Sequence, residues 1–365
     1  MKVLHLISGA ETGGSKKHIL TLLSAFEKGE VILGVFEWGP FAEEAVALGI
    51  DVEHFLQKSR YDFSVQKGVL SLIETKGCTV LHSHGPRANL LVAIMKKKLT
   101  VPWVVTVHSN PLLDFMNEGI KGKVFTTLHV WALKKVDACF AVTPRFRDDL
   151  VKIGMDEEKI TVVYNGIDFT EPVAKRGVKR SDLGLDEGSF VAVMVARMHA
   201  VKDHPTLLRA FKAVKASQDR LVLVGDGPDR EKVERLVTDL GLRDAVIVLG
   251  QRSDAEQIMG LSDVVLLTSV SESFPLVLLE AAKAGRPVIA TDVGGVKALI
   301  EPGKTGWIFE PGDEAGLRQA LTDAKASKER LPEMGSALHE HAKEHFSLEQ
   351  LYEDTKKLYK AVKKD

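Results

Sequence analysis

The chain has 365 residues, 45% apolar and 27% charged, and its 49 basic and 50 acidic side chains leave a net charge of −1. This is the composition of a soluble globular protein long enough for two domains. It supplies no global electrostatic reason for nucleic acid or a strongly charged surface as partner. No run of 18 apolar residues offers a membrane span, and the apolar run in MKVLHLISG is too short for a signal peptide. Cys78 and Cys139 stand far apart, each beside apolar strand-like residues. They read as buried thiols of a reducing cytosol, not as a disulfide or a metal cluster.

Short apolar, β-branched runs alternate with helical patterns along the whole chain. Strands are expected at Lys2 to Ile7, Val31 to Phe36, Val52 to Phe55, Thr79 to Ser83, Trp103 to Val107, Ala138 to Val142 and Thr161 to Tyr164. A second series runs Phe190 to Ala196, Arg220 to Val224, Ala245 to Leu249, Val264 to Thr268 and Val288 to Thr291. Helical periodicity lies between them, as in Lys16 to Phe26 and Pro205 to Lys215, and predicts parallel sheets covered by helices. Between the series lies EPVAKRGVKR, Glu171 to Arg180, basic and with few apolar residues, which reads as a linker. Helices are expected at Glu314 to Ala326, Leu331 to Glu344 and Leu348 to Val362.

Chemistry-bearing residues cluster after the strands. Gly13 and Gly14 form a turn at a helix N-terminus, where backbone can approach an anion or substrate. The turn lacks the G-x-G-x-x-G dinucleotide fingerprint. His82 and His84 follow one strand and His108 another, but two histidines without a nearby carboxylate or cysteine make a poor metal site. Arg197 ends a strand and Lys202 follows five residues later. A planar fork and a compact point charge on one loop suit a diphosphate. Gly225 to Gly227, G-D-G, allow a sharp turn or close ligand approach, and Asn165, Gly166 and Asp168 read as turn structure at the domain junction.

The densest signal is SVSESFPLVLLEAAKAGRPVIATDVGG, from Ser269 to Gly295. Pro275 suits a first helical position, so the helix would start after Phe274 and present free amides at Leu276 and Val277. Glu272 precedes that start, and Glu280 lies about 7 to 8 Å along the helix from it. The two carboxylates would flank an anion site, which fits a ligand with hydroxyls at both ends and phosphates between.

This stretch resembles the retaining nucleotide-sugar glycosyltransferases of family 4, whose signature is E-x7-E followed by A-x-x-x-G-x-P-V-(I/V)-A-(T/S)-x-x-G-G. It reads here as Glu272, Glu280, Ala281, Gly285, Pro287, Val288, Ile289, Ala290, Thr291, Gly294 and Gly295, without insertion. The Arg197 to Lys202 stretch resembles the family's G-R-x-x-x-x-K-G, and Gly13, Gly14, Lys17 and His18 its G-G-x-x-(R/K)-H turn. The likeness covers nearly the whole chain and is dense from about Phe190 to Gly312.

The resemblance implies an α/β fold of GT-B type: two doubly wound Rossmann-like domains facing a central cleft, with the C-terminal helix crossing back to the N-terminal domain. Residues 1–170, completed by 347–365, would form the acceptor-side domain, 171–180 the linker, and 181–346 the nucleotide-sugar-binding domain. Implied is a hexosyltransferase of polysaccharide or glycoconjugate biosynthesis, working without cofactor or metal. Its substrates would be a nucleotide sugar, with UDP ranked ahead of GDP or ADP, and an acceptor (glycan, lipid-linked or small molecule) that the sequence leaves open, as it does the oligomeric state.

Carried over residue by residue, Arg197 and Lys202 bind the diphosphate, Glu280 the ribose, and Glu272 the sugar hydroxyls. His108 lies near the transferred sugar, and Gly14, Gly225, Arg252 and Phe274 line the donor site. His84 borders the acceptor. Ala196, Asp203, Ser273 and Pro275 replace common glycines, and Thr268 a common proline. A catalytically silent nucleotide-sugar or glycan-binding module and a sugar-nucleotide epimerase are the alternatives. Lys96 to Lys98, and Lys121 to Lys135 around Trp131, offer a basic, partly apolar face for peripheral contact at the inner side of a membrane.

Overall fold

The computed structural model describes residues 1–11, 13–57, 59, 62–108, 111–112, 119–171, 173 and 177–363. The chain divides into two compact units, Met1–Gly166 with Leu348–Asp365, and Ile167–Ser347.

In the first unit, strands β1 (Val3–Ile7), β2 (Val31–Val35), β3 (Asp51–His54), β4 (Val80–His84), β5 (Trp103–Val107), β6 (Ala138–Ala141) and β7 (Ile160–Val162) form one parallel sheet. Its order is β3-β2-β1-β4-β5-β6-β7. Five of the strands are buried throughout, whereas β3, at the edge, has only partly and fully exposed residues. Helices α1 (Gly13–Ser24), α2 (Pro40–Ala47), α3 (Gln66–Lys76), α4 (Gly85–Met95), α5 (Gly119–Leu133) and α6 (Pro144–Lys152) belong to this unit.

Successive residues of a strand face opposite sides. Leu4, Leu6, Leu81 and Val105 therefore share one core with α3 and α4, while Val3, Ile7, Val80 and Val104 share another with Leu20 and Leu23 of α1. The last helix of the chain, Leu348–Val362, closes that second core through Leu351 and Tyr359, 3% and 0% exposed.

The second unit has strands β8 (Val191–Val195), β9 (Arg220–Val224), β10 (Val246–Gly250), β11 (Val264–Leu267), β12 (Val288–Thr291) and β13 (Gly306–Phe309), in the parallel order β10-β9-β8-β11-β12-β13. Its helices are α7 (His204–Val214), α8 (Arg230–Asp239), α9 (Ala255–Gly260), α10 (Leu276–Lys283), α11 (Val296–Leu299), α12 (Glu314–Ala326) and α13 (Leu331–His345), and the chain then returns to the first unit as α14 (Leu348–Val362). The strand at Gly306–Phe309 is absent from the sequence-based series. Its GWIF sequence is short and starts on glycine, and pairing with β12 defines it.

The linker Glu171 to Arg180 falls partly outside the described residues. Its last residue is anchored to the second unit, where Arg180 donates to the carbonyl of Ser189 at 3.1 Å. Ile167 also belongs there, its amide donating to the Phe346 carbonyl at 3.1 Å. Cys78 and Cys139 are buried free thiols, and burial pushes Cys139 up to about 12. No helix among the described residues is long and apolar enough to cross a membrane.

Candidate active site

Open parallel sheets bind ligands outside the carboxyl ends of their strands, where the strand order reverses. In the second unit that point lies between β8 and β11, which are adjacent although far apart in sequence. The loop after β8 carries Arg197 and Lys202, and the loop after β11 carries Glu272. The topology thus brings the two strongest sequence motifs to one place.

The Arg197 segment is held by main-chain pairing. The amide of Ala196 donates to the Val224 carbonyl and that of Met198 to the Asp226 carbonyl, both at 2.9 Å. Met198 is fully buried and Arg197 between them is exposed, so its guanidinium stands on a braced backbone. Gly225, φ +138°, makes this approach possible, because a Cβ there would stand 2.0 Å from the Ala196 carbonyl oxygen. Its glycine is thus required by the chain's own packing.

Lys202 ends a short 3-10 turn and pairs with Glu272. Ser269 donates to the same carboxylate oxygen at 2.6 Å, and Thr268 Oγ1 donates to the Lys202 carbonyl at 2.8 Å. The threonine in place of proline thus ties the two loops together. Further ties run from the Val270 amide to the Val201 carbonyl at 2.9 Å and from Thr291 Oγ1 to the Ser269 carbonyl at 2.7 Å. Asp203 has φ +49°, a left-handed conformation in which glycine is at ease. Here aspartate accepts from the Thr206 amide at 3.3 Å and caps α7.

Pro275 is not the first helical residue. With ψ of 107° it is the N-cap, and α10 starts at Leu276. The amides of Leu276 and Val277 lie in the first turn, where no carbonyl precedes them in the helix, as expected. Because Pro275 stands before that turn, it takes no amide from the helix itself. Phe274, 3% exposed, packs on Phe346 with ring centroids 5.2 Å apart, and Glu280 is half-buried on α10. Arg252 is exposed and its fork is engaged by Asp254 through bonds of 2.8 and 2.7 Å.

In the first unit, Gly14 lies in the first turn of α1, and a Cβ there would meet nothing within 4 Å. His84, expected on a loop, is the last residue of β4 and 1% exposed. It bonds His5 at 2.9 Å and His108, half-buried after β5, at 3.3 Å. The rings of His18 and His108 meet edge to face at 5.0 Å. Burial pushes all of these histidines down, His5 to about 3 and His18 to about 4.

From the sequence, only His82 and His84 came into question together as metal ligands. The structure adds His5, and one ring nitrogen from each of the three lies within 4.8 Å of the others. Sequence reasoning missed His5 and Tyr359. The available signal was a lone histidine within the apolar strand VLHLI.

Two parallel α/β units, with cations and carboxylates gathered at the switch point of the second, define the class as a GT-B glycosyltransferase. Residues 12–171 match the model for Glycosyltransferase Family 4 and residues 175–345 that for Glycosyl transferases group 1. The lipopolysaccharide core biosynthesis glycosyltransferase LpsD of Rhizobium meliloti (strain 1021) is 32% identical, covering 92% of each chain. An N-acetyl-alpha-D-glucosaminyl L-malate synthase from Bacillus anthracis is 26% identical over 84% of this chain and 80% of its own. Among solved structures, Anabaena Alr3699/HepE in complex with UDP superposes with a TM-score of 0.87 at 22% identity, covering 99% of this chain and 100% of that one. The chain belongs to the family 4 glycosyltransferases, within the hexosyltransferase class.

Proposed function

We propose that this enzyme moves a hexose from a nucleoside-diphosphate sugar to an acceptor hydroxyl, with retention of configuration and without a metal. The observation that carries the reading is the Lys202–Glu272 pair, which joins the loops after β8 and β11 just before the N-terminus of α10 at one sheet's switch point, with Arg197 on the same loop as Lys202. Glycosyl transfer must stabilise the departing diphosphate and the positive charge growing at the anomeric carbon. Preorganised cations and amides aimed at the leaving group supply most of the stabilisation in such sites.

Arg197, Lys202 and the amides of Leu276 and Val277 would hold the diphosphate, and Glu280 the ribose. Incoming phosphate oxygens would compete with Glu272 for Lys202. That competition would free the Glu272 carboxylate to accept from sugar hydroxyls. Gly225 and Arg252 would line the nucleotide side of the donor site, and Phe274 the phosphate side. Gly14, exposed in the first turn of α1, would let substrate approach the backbone there. His108 would face the transferred sugar, with His84 behind it on the acceptor side. The UDP and UDP-glucose complexes of Alr3699/HepE support a uridine donor.

Metal independence is supported by the adjacent acids Asp148 and Asp149. They lie on α6 and pair with Arg147 and Lys152 at 2.9 and 3.0 Å. Cationic side chains and a helix N-terminus can perform a metal's electrostatic task. Candidate donors should therefore release nucleoside diphosphate in the presence of EDTA, and an α-linked donor should give an α-linked product by proton NMR. A β-glycoside, or complete loss of activity on chelation, would overturn the reading. Donor binding without turnover would indicate the silent module.

A membrane-borne acceptor is favoured by one feature of α5. Val124, Leu128 and Trp131 recur at helical spacing and are 53%, 36% and 40% exposed, with Lys135 stacked 3.6 Å from the Trp131 ring. Such a face suits a peripheral position at an anionic membrane surface. Cosedimentation with anionic but not zwitterionic vesicles, lost in Trp131→Ala, is the expected result; equal recovery from both would remove the membrane from the reading.

A further inference from the structure

The buried part of the first-sheet face that packs under α14 is apolar except where β1, β4 and β5 pass side by side. His5 pairs with His82 across β1 and β4, and His84 with Thr106 across β4 and β5. By strand alternation these residues share a face with Val3, Val80 and Val104, whose core Tyr359 closes. All five polar side chains are at most 4% exposed. Each must find hydrogen bonds there, because an unpaired buried polar group is costly.

They find them in a single line. Thr106 Oγ1 meets His82 Nε2 at 2.7 Å, and His82 Nδ1 meets the Tyr359 hydroxyl at 2.5 Å. The hydroxyl meets His5 Nε2 at 3.2 Å, His5 Nδ1 meets His84 Nε2 at 2.9 Å, and His84 Nδ1 meets His108 Nε2 at 3.3 Å. A neutral imidazole has one donor and one acceptor nitrogen, so every ring must pass the same direction to the next. Burial keeps all four rings neutral near pH 7 and the phenol protonated.

The Tyr359 bonds decide the direction. Hydroxyl donors make the shorter bonds and N–H donors the longer ones. On that criterion the 2.5 Å contact assigns Tyr359 as donor to His82 Nδ1 and the 3.2 Å contact assigns His5 Nε2–H as donor to Tyr359, while the 2.7 Å His82–Thr106 contact fits either sense. His84 Nε2–H donates to His5, His108 Nε2–H donates to His84, and His82 Nε2–H ends the line on Thr106.

We propose that His5 and Tyr359 are positioning residues of a directional hydrogen-bond relay that holds His108 as the Nε2–H tautomer and leaves its Nδ1 as a lone-pair acceptor. At the transferred sugar, such a nitrogen accepts from a hydroxyl and cannot donate to it. That consequence rests on the place of His108 proposed above; the relay itself does not. A tris-histidine metal centre is the competing use of His5, His82 and His84. Tetrahedral ligands at about 2.1 Å from a metal would stand about 3.4 Å apart. Here the three nitrogens spread to 4.8 Å, and in the relay these rings already bond one another, Tyr359 and Thr106.

The test is two-bond proton–nitrogen correlation NMR of the ring-labelled full chain near pH 7.5, with resonances assigned through His5→Gln and His108→Gln. It needs neither donor nor acceptor, so it reads the relay whether or not the transfer reading holds. Wild type should show His5, His84 and His108 as single Nε2–H tautomers. Tyr359→Phe keeps the buried ring but removes the hydroxyl, and should turn these signals into mixtures or reverse them. Thr106→Val provides the same readout from the other end should the tyrosine variant fail to fold. A merely structural tyrosine would lower the melting temperature without changing tautomers. An Nδ1–H form at His108 in wild type, unchanged tautomers in either folded variant, or one equivalent of Zn2+ in the purified chain that is lost in His5→Gln would overturn the proposal.

Discussion

Arg197 and Lys202 are five residues apart on one loop and differ in what surrounds them. Arg197 is exposed on a braced backbone, whereas Lys202 is 22% exposed and already paired with Glu272. Arg197→Ala should lower transfer by about 10² to 10³ through the leaving group. Its melting temperature should barely move, as is usual for exposed positions. Lys202→Ala should cost as much activity and also release Glu272 from its ion pair. Near wild-type transfer by both variants would move the phosphate site elsewhere. Glu280→Gln should weaken calorimetric binding of free nucleoside diphosphate, since ribose contact does not require the sugar. Glu272→Gln should spare that binding and damage transfer. Equal losses in both titrations would contradict the division of roles.

At the scale of elements, loops are secured where glycine or its substitute meets another backbone. Gly294, φ +54°, lies where a Cβ would be 1.9 Å from the Ser273 carbonyl oxygen, whereas Gly285, φ +66°, has open space. Gly285→Ala should cost about 1 kcal/mol for its left-handed backbone alone. Gly294→Ala should cost more and also displace the Glu272 loop, lowering activity in the surviving folded protein. Equal denaturation midpoints for the two would refute the contact. Asp203 is left-handed without being glycine and caps α7. Asp203→Ala loses the cap while the left-handed backbone stays as it is, for a cost of about 1 kcal/mol. Asp203→Gly should fall within a few tenths of wild type.

For the whole molecule, histidine burial is unevenly shared between the units. His5, His18, His82, His84, His108 and His129 of the first unit are all shifted down, whereas in the second His204 is, to about 4. A folded pKa below the unfolded 6.5 means that the unfolded chain takes up the proton first. The associated stability is complete above pH 6.5 and is lost as pH falls toward the folded values. Each such histidine costs up to about 1.4 kcal/mol per pH unit below 6.5. The first unit should therefore unfold at a higher pH than the second during acid titration between 6.5 and 4, followed by hydrogen exchange. Simultaneous loss of protection in both units would contradict this.

Strand positions were legible because buried parallel strands are continuous apolar runs, and Trp103 to Val107, Arg220 to Val224 and Val288 to Thr291 match residue for residue. The helices at Glu314–Ala326 and Leu348–Val362 were equally plain from periodicity. The Glu272 and Arg197 motifs were readable as local strings, because each loop follows its own strand. Other features required the folded chain. Pairing with β12 defines β13, and register sets His5 beside His82. The return of α14 carries Tyr359 to a residue 354 positions away. Local sequence dictates which backbone each segment adopts and which side chains face the core; which buried polar groups meet is decided by packing between segments distant in sequence, whose bonds form only once the sheet has set their register.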